Sequence, residues 1–178
     1  IRMKELSLYD EIFSEVEVDV KDLGKEADED VLDSFSLKFE TKIPNMEKMC
    51  YIMEKVLLSK GDGATVYAGF QKVSRAEAIW DRYLDIADNV DQVYIFGEND
   101  ASLEEHPDID FVYLPKDHPL VREWFLVIDK PIGKSMMVAY DLDGFGTYEN
   151  EKERNFKGAK TNNPDKVKKA ADLLEDLV

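Results

Sequence analysis

The chain has 178 residues, of which 44% are hydrophobic and 11% aromatic. That is enough apolar matter for a packed core and argues against general disorder or a disulfide-stapled miniature. Its 39 acidic against 23 basic residues leave a net charge of −16, which repels phosphate backbones and anionic lipid and argues against nucleic acid or membrane as a direct partner.

From the N-terminus, KELSLYDEIFSEV (4–16) spaces Leu6, Leu8, Tyr9, Ile12, Phe13 and Val16 as one face of a short amphipathic helix. KEADEDVLD (25–33) reads as a solvated acidic linker. FSLKFE (35–40) alternates Phe35, Leu37 and Phe39 with polar residues, the period of a half-buried strand. Pro44 and Asn45 open a helix whose stripe is Met46, Met49, Cys50, Met53, Val56 and Leu57; KGDG (60–63) ends it. The stripe suits core packing better than metal binding, because thioethers fill irregular gaps.

ATVYAGFQ (64–71) is a core strand. Ser74 and Glu77 have capping-box spacing at the head of a helix whose buried face is Ala76, Ile79, Trp80, Tyr83, Leu84 and Ala87. Further strands are expected at 92–97 and 109–115, and WFLVID (124–129) and KSMMVAY (134–140) are joined by KPIG as an antiparallel hairpin. DLDGFGTYENEKE (141–153) is a polar loop, FKGAKT (156–161) a strand, and Asn163-Pro164-Asp165 the cap of a last helix burying Val167, Ala170, Ala171, Leu174 and Leu177. This order is neither strict βα alternation nor all-β. It predicts a single α/β (α+β) domain with a mixed sheet of about five to six strands and helices packed on it.

Tests for catalytic chemistry fail. DLDG opens like a calcium loop, but Lys152 stands where the bidentate glutamate belongs. GDG and GFG lack the rest of a phosphate-binding loop. His106 and His118 lie in proline-flanked loops and read as surface residues, and Cys50, the only cysteine, as buried in its stripe. The sequence leaves the cofactor unknown, and the expectation is a protein that is not an enzyme.

The polar residues that lie beside aromatic core are Phe70 and Gln71 at one strand's end, Arg82 and Tyr83 on the capped helix, and Arg122, Glu123 and Trp124 at the start of the second strand. They converge on a pocket if those two strands are neighbours. The alternative is that Arg82 or Arg122 pairs with Glu123 to lock a helix onto the sheet.

VYAGFQ (66–71), RYLDIAD (82–88), DQVYIFG (91–97), HPLVREWFLVID (118–129) and FKGAKTNNPDKV (156–167) together resemble, in order, the DICT sensory domain, over roughly residues 45–178. Residues 1–44 then form an N-terminal helix, acidic linker and strand outside the resemblance. The family usually has a glutamate where Asp141 ends MMVAYD, and commonly an aromatic near Ala159, so Asp141 offers a shorter arm in any pocket there. The resemblance implies a non-catalytic input module of signal transduction that reads a small ligand of unknown identity or a signalling partner. An acidic docking module, using the charged face or the 4–16 helix to bind a basic partner or a second copy, is the alternative. The expected place is the cytoplasm, or a plastid stroma in a phototrophic eukaryote, and the first residue, Ile1, suggests a piece of a longer protein.

Overall fold

The computed structural model describes residues 3–14, 19–20 and 36–178. Val16, Phe35 and the acidic 25–33 segment lie outside them. A sheet of eight strands organises the chain: β1 (Asp19–Val20), β2 (Ser36–Lys42), β3 (Thr65–Lys72), β4 (Gln92–Glu98), β5 (Ile109–Tyr113), β6 (Glu123–Asp129), β7 (Ser135–Asp141) and β8 (Asn155–Thr161). Their spatial order is β1-β2-β8-β7-β6-β3-β4-β5. From β2 to β3 each pair is antiparallel, and β3-β4-β5 are parallel. The fold is thus the expected mixed α/β arrangement with more strands than the five to six predicted, and β3 is where its parallel half meets its antiparallel half.

Strand pleating sorts side chains to two faces. Val66, Ala68, Phe70, Trp124, Leu126, Met137 and Ala139 point to one core, under α2 (Ile43–Lys60) and α3 (Trp80–Ala87). Tyr67, Phe125, Val127, Met136 and Val138 point to the other, under α1 (Leu8–Phe13) and α4 (Pro164–Glu175). Faces buried on both sides explain why β6 reads WFLVI without alternation.

The helices follow their sequence signals with two corrections. Asn163 caps α4 by accepting from the Asp165 and Lys166 amides, and all five predicted apolar residues of that helix are buried. In α2, Met46, Met49, Cys50, Met53 and Leu57 are buried as expected, whereas Val56 is exposed. Ser74 makes no capping box: Val73–Ile79 is a 3₁₀ turn, and the Ser74 amide and hydroxyl both bind the Asp100 carboxylate, at 2.8 and 2.6 Å. His118 is not a surface residue. Its ring is buried, with Nδ1 accepting from the Leu120 amide and Nε2 2.9 Å from the Lys4 carbonyl, an arrangement that fits the neutral imidazole donating through Nε2.

Candidate functional site

β3 and β6 are neighbours, with Phe70 paired to Trp124. Strict alternation would send Gln71 to the α1/α4 face with Tyr67. It does not go there, because Gln71 carries φ 67° and the β3–β4 register breaks between Gly69 and Lys72. An irregularity of this kind re-aims a side chain, and a non-glycine residue at positive φ is held there against a backbone cost of ~1–3 kcal/mol. The Gln71 amide is fixed on every side: Nε2 donates to the Val121 carbonyl and the Asp141 carboxylate, both at 3.1 Å, and Oε1 accepts from Arg154 at 3.3 Å.

Asp141 and Arg154 form a fully buried ion pair beneath that amide. The other Asp141 oxygen accepts the amides of Asp143 and Gly144, which fixes the start of the 142–150 loop. Arg154 Nε lies 2.9 Å from Glu151 without hydrogen-bond alignment, and its Nη2 is buried with no hydrogen-bond partner among the described residues. Phe145, flanked by Gly144 and Gly146 at φ 82° and 83°, lays its ring 4.0 Å from the Arg154 guanidinium.

Beside this network, on the α2/α3 face, lies a cavity of ≈ 670 Å³. Phe70, Gln71, Trp124, Cys50, Ile79 and Ala78 supply part of its wall; Arg75, Arg82, Glu54 and Lys152 bring charge to it. At one end Arg82 binds the buried Glu54 carboxylate at 2.6 Å, and the Tyr83 hydroxyl donates to its second oxygen. Burial pushes Glu54 up, with the Tyr83 and Arg82 bonds pulling the other way. Burial, reinforced by the nearby Glu54, pushes the Cys50 thiol well above its ordinary range, so it is protonated at neutral pH and a poor nucleophile.

The predicted site residues therefore divide. Phe70, Gln71, Arg82 and Trp124 line the cavity, Tyr83 stands behind Glu54, and Asp141 stands behind Gln71. Arg122 and Glu123 are elsewhere. Arg122 donates to the Asp141 carbonyl, 3.2 Å from Nε, and lies over Tyr140. Glu123, one residue out of phase with Trp124, faces the α1 side, where Oε1 accepts the Tyr9 amide at 2.7 Å. Neither arginine pairs with Glu123. The helix lock proposed from sequence is instead Arg82–Glu54, between α3 and α2.

Four contributors were missed. Glu54 had a signal, since it falls four residues after Cys50 and three before Leu57, on the apolar stripe itself. Arg75, Phe145 and Arg154 had none, because they reach the site through contacts distant in sequence. Among the described residues no three His, Cys, Asp or Glu side chains cluster as metal ligands, and no helix is long and apolar enough to cross a membrane.

Comparison with known proteins adds the following. A family model described as DICT, the sensory domain in diguanylate cyclases and two-component systems, matches residues 34–142. No curated protein matches in sequence. Among solved structures, the polyphosphate kinase of Porphyromonas gingivalis superposes on 82% of this chain with TM-score 0.55 and 11% identity, and this chain spans 23% of that one. NucT from Helicobacter pylori superposes on 80% with TM-score 0.51 and 13% identity, with 95% of its own chain covered. At such identities the likeness is one of fold alone.

Proposed function

Because this chain belongs to the DICT family of sensory domains, we propose that it reads a small ligand in the cavity beside the end of β3 and passes the signal on without making or breaking bonds. The observation that carries this reading is the re-aimed Gln71. A strained glutamine, held by three partners on a cavity wall at the junction of the sheet's two halves, is the kind of local rule-breaking that tends to accompany a binding site. A cavity of ≈ 670 Å³ lined by Phe70, Trp124 and Ile79 with a few polar groups falls in the size and chemistry of small-molecule pockets.

A non-catalytic role is favoured by the state of the groups present. The one thiol is kept protonated by burial, and the Glu54 carboxylate is committed to Arg82 and Tyr83. Signalling then requires unequal affinity of the ligand for two conformations. The Asp141-anchored 142–150 loop is the element placed to respond, through Gln71 and Arg154.

The alternative, docking through the N-terminal helix, has less support, since Leu8, Tyr9, Ile12 and Phe13 are already buried against the protein's own sheet and α4. The test is thermal denaturation with fractionated small-molecule extract of the source cells. Stabilisation of the native protein, lost in Ala78→Trp, which fills the cavity from an exposed wall position, supports the reading. Equal response of both proteins, or none in either, refutes it.

A further inference from the structure

We infer that the ligand of this cavity is a small organic anion whose carboxylate, sulfonate or phosphate head meets Arg75 and Lys152 while its apolar body lies against Trp124, Phe70 and Ile79. The inference rests on the cavity reading above and adds the chemical class. Its ground is the contrast between the two ends of the cavity. At the Glu54 end charge is balanced by Arg82. At the other end Arg75 makes no hydrogen bond or ion pair among the described residues, although it is only partly exposed, and the exposed Lys152 forms no ion pair among them.

The Arg75 guanidinium is held against rings instead, 5.9 Å from Trp124 and 5.8 Å from Phe145. Burial, then the like charge of Arg154, pull its pKa down from the ordinary arginine value. Arg154, behind the wall, is already paired with Asp141 and lies beside Glu151, so of the two neighbouring guanidiniums only Arg75 faces the cavity without a direct partner, an arrangement the fold sustains at a cost. An anion in the cavity offsets that cost, and an arginine fork beside an indole is suited to carboxylate or phosphate recognition. Glu47, Glu151 and Asp141 pull the other way on Arg75, but none of them bonds to it, and the wall carboxylates Glu47 and Glu77 are exposed. In a chain of net charge −16, a half-buried guanidinium on a cavity wall with no hydrogen bond or ion pair among the described residues is a feature that general solubility does not explain.

The test uses two fluorescent probes with the same rings, anilinonaphthalene sulfonate and the neutral N-phenylnaphthylamine, titrated into the native protein. The sulfonate should bind about ten-fold tighter or more. Arg75→Gln should abolish that preference while leaving the neutral probe's affinity unchanged, and Arg75→Lys should restore part of it. Lys130→Gln, in the separate lysine-lined cavity that includes Lys134 and Lys160, should change neither. If both probes bind equally and Arg75→Gln alters neither, the anion assignment falls and the cavity reading stands. Loss of the preference in Lys130→Gln rather than Arg75→Gln also overturns it. If Ala78→Trp leaves the binding of both probes untouched, the cavity reading itself fails with it.

Discussion

Glu123→Gln separates a structural from a ligand-binding role for the predicted site residue that turns to the α1 side of the sheet. Glu123 is fully buried against α1, and burial raises its carboxyl from the ordinary 4.5 to about 7, with the Tyr9 amide bond opposing and Asp10 reinforcing. The folded state therefore binds a proton that the unfolded chain releases between these two values. The group's contribution to stability is fully present below about 4.5, declines as pH rises, and is lost above about 7. At ~1.4 kcal/mol per pH unit, the difference amounts to about 3 kcal/mol. Glutamine keeps an acceptor for the Tyr9 amide and never ionises. Urea denaturation of both proteins at a series of pH values from acid to mildly alkaline should show the variant gaining on the native chain by up to about 3 kcal/mol across that window. Subtracting the two curves removes every titration they share. A constant difference across the series would refute the assignment of Glu123 to the docking of α1.

Three further outcomes follow from the packing. Arg154→Met should cost about 3–5 kcal/mol in denaturant melts, because it leaves the Asp141 carboxylate buried and unpaired; a cost below ~1 kcal/mol would mean that the pair is hydrated. Gln71→Gly should be more stable than Gln71→Ala by about 1 kcal/mol, since both lose the amide's partners and only alanine keeps the side-chain penalty at φ 67°; equal melting temperatures would count against the strained backbone. Gly69→Ala would drive a Cβ into the Phe125 ring, and should lower stability by about 1–3 kcal/mol in thermal melts, an unchanged midpoint showing that the ring yields freely.

Most strands were legible because they set Val, Ile, Phe or Met between turn residues, whereas β1, only two residues long, carries no such signal; the KPIG hairpin was legible because its length leaves β6 and β7 little choice but to pair. The α4 cap was legible for the same local reason, Asn-Pro-Asp at a helix start. The capping box at Ser74 failed because a tertiary partner, Asp100, claimed the hydroxyl that a local reading gave to the helix. Within the site, β3 beside β6 brought Gln71 and Trp124 together as expected. The error over Glu123 came from treating adjacent residues of a strand as neighbours, when the pleat sends them to opposite faces. His118 was misread in a similar way: a proline-flanked loop looks exposed in sequence, yet this one tucks its imidazole under the segment that leads to α1. Arg154 and Arg75 carry charges that hydropathy assigns to solvent, and only the assembled sheet reveals Asp141 and Trp124 waiting for them.

The most direct test of a ligand-reading cavity is native mass spectrometry of the protein isolated from its own cells, run beside Ala78→Trp from the same source. The account predicts a small-molecule mass retained by the native chain and absent from the variant. The bare polypeptide mass in both, or the same adduct in both, would contradict it.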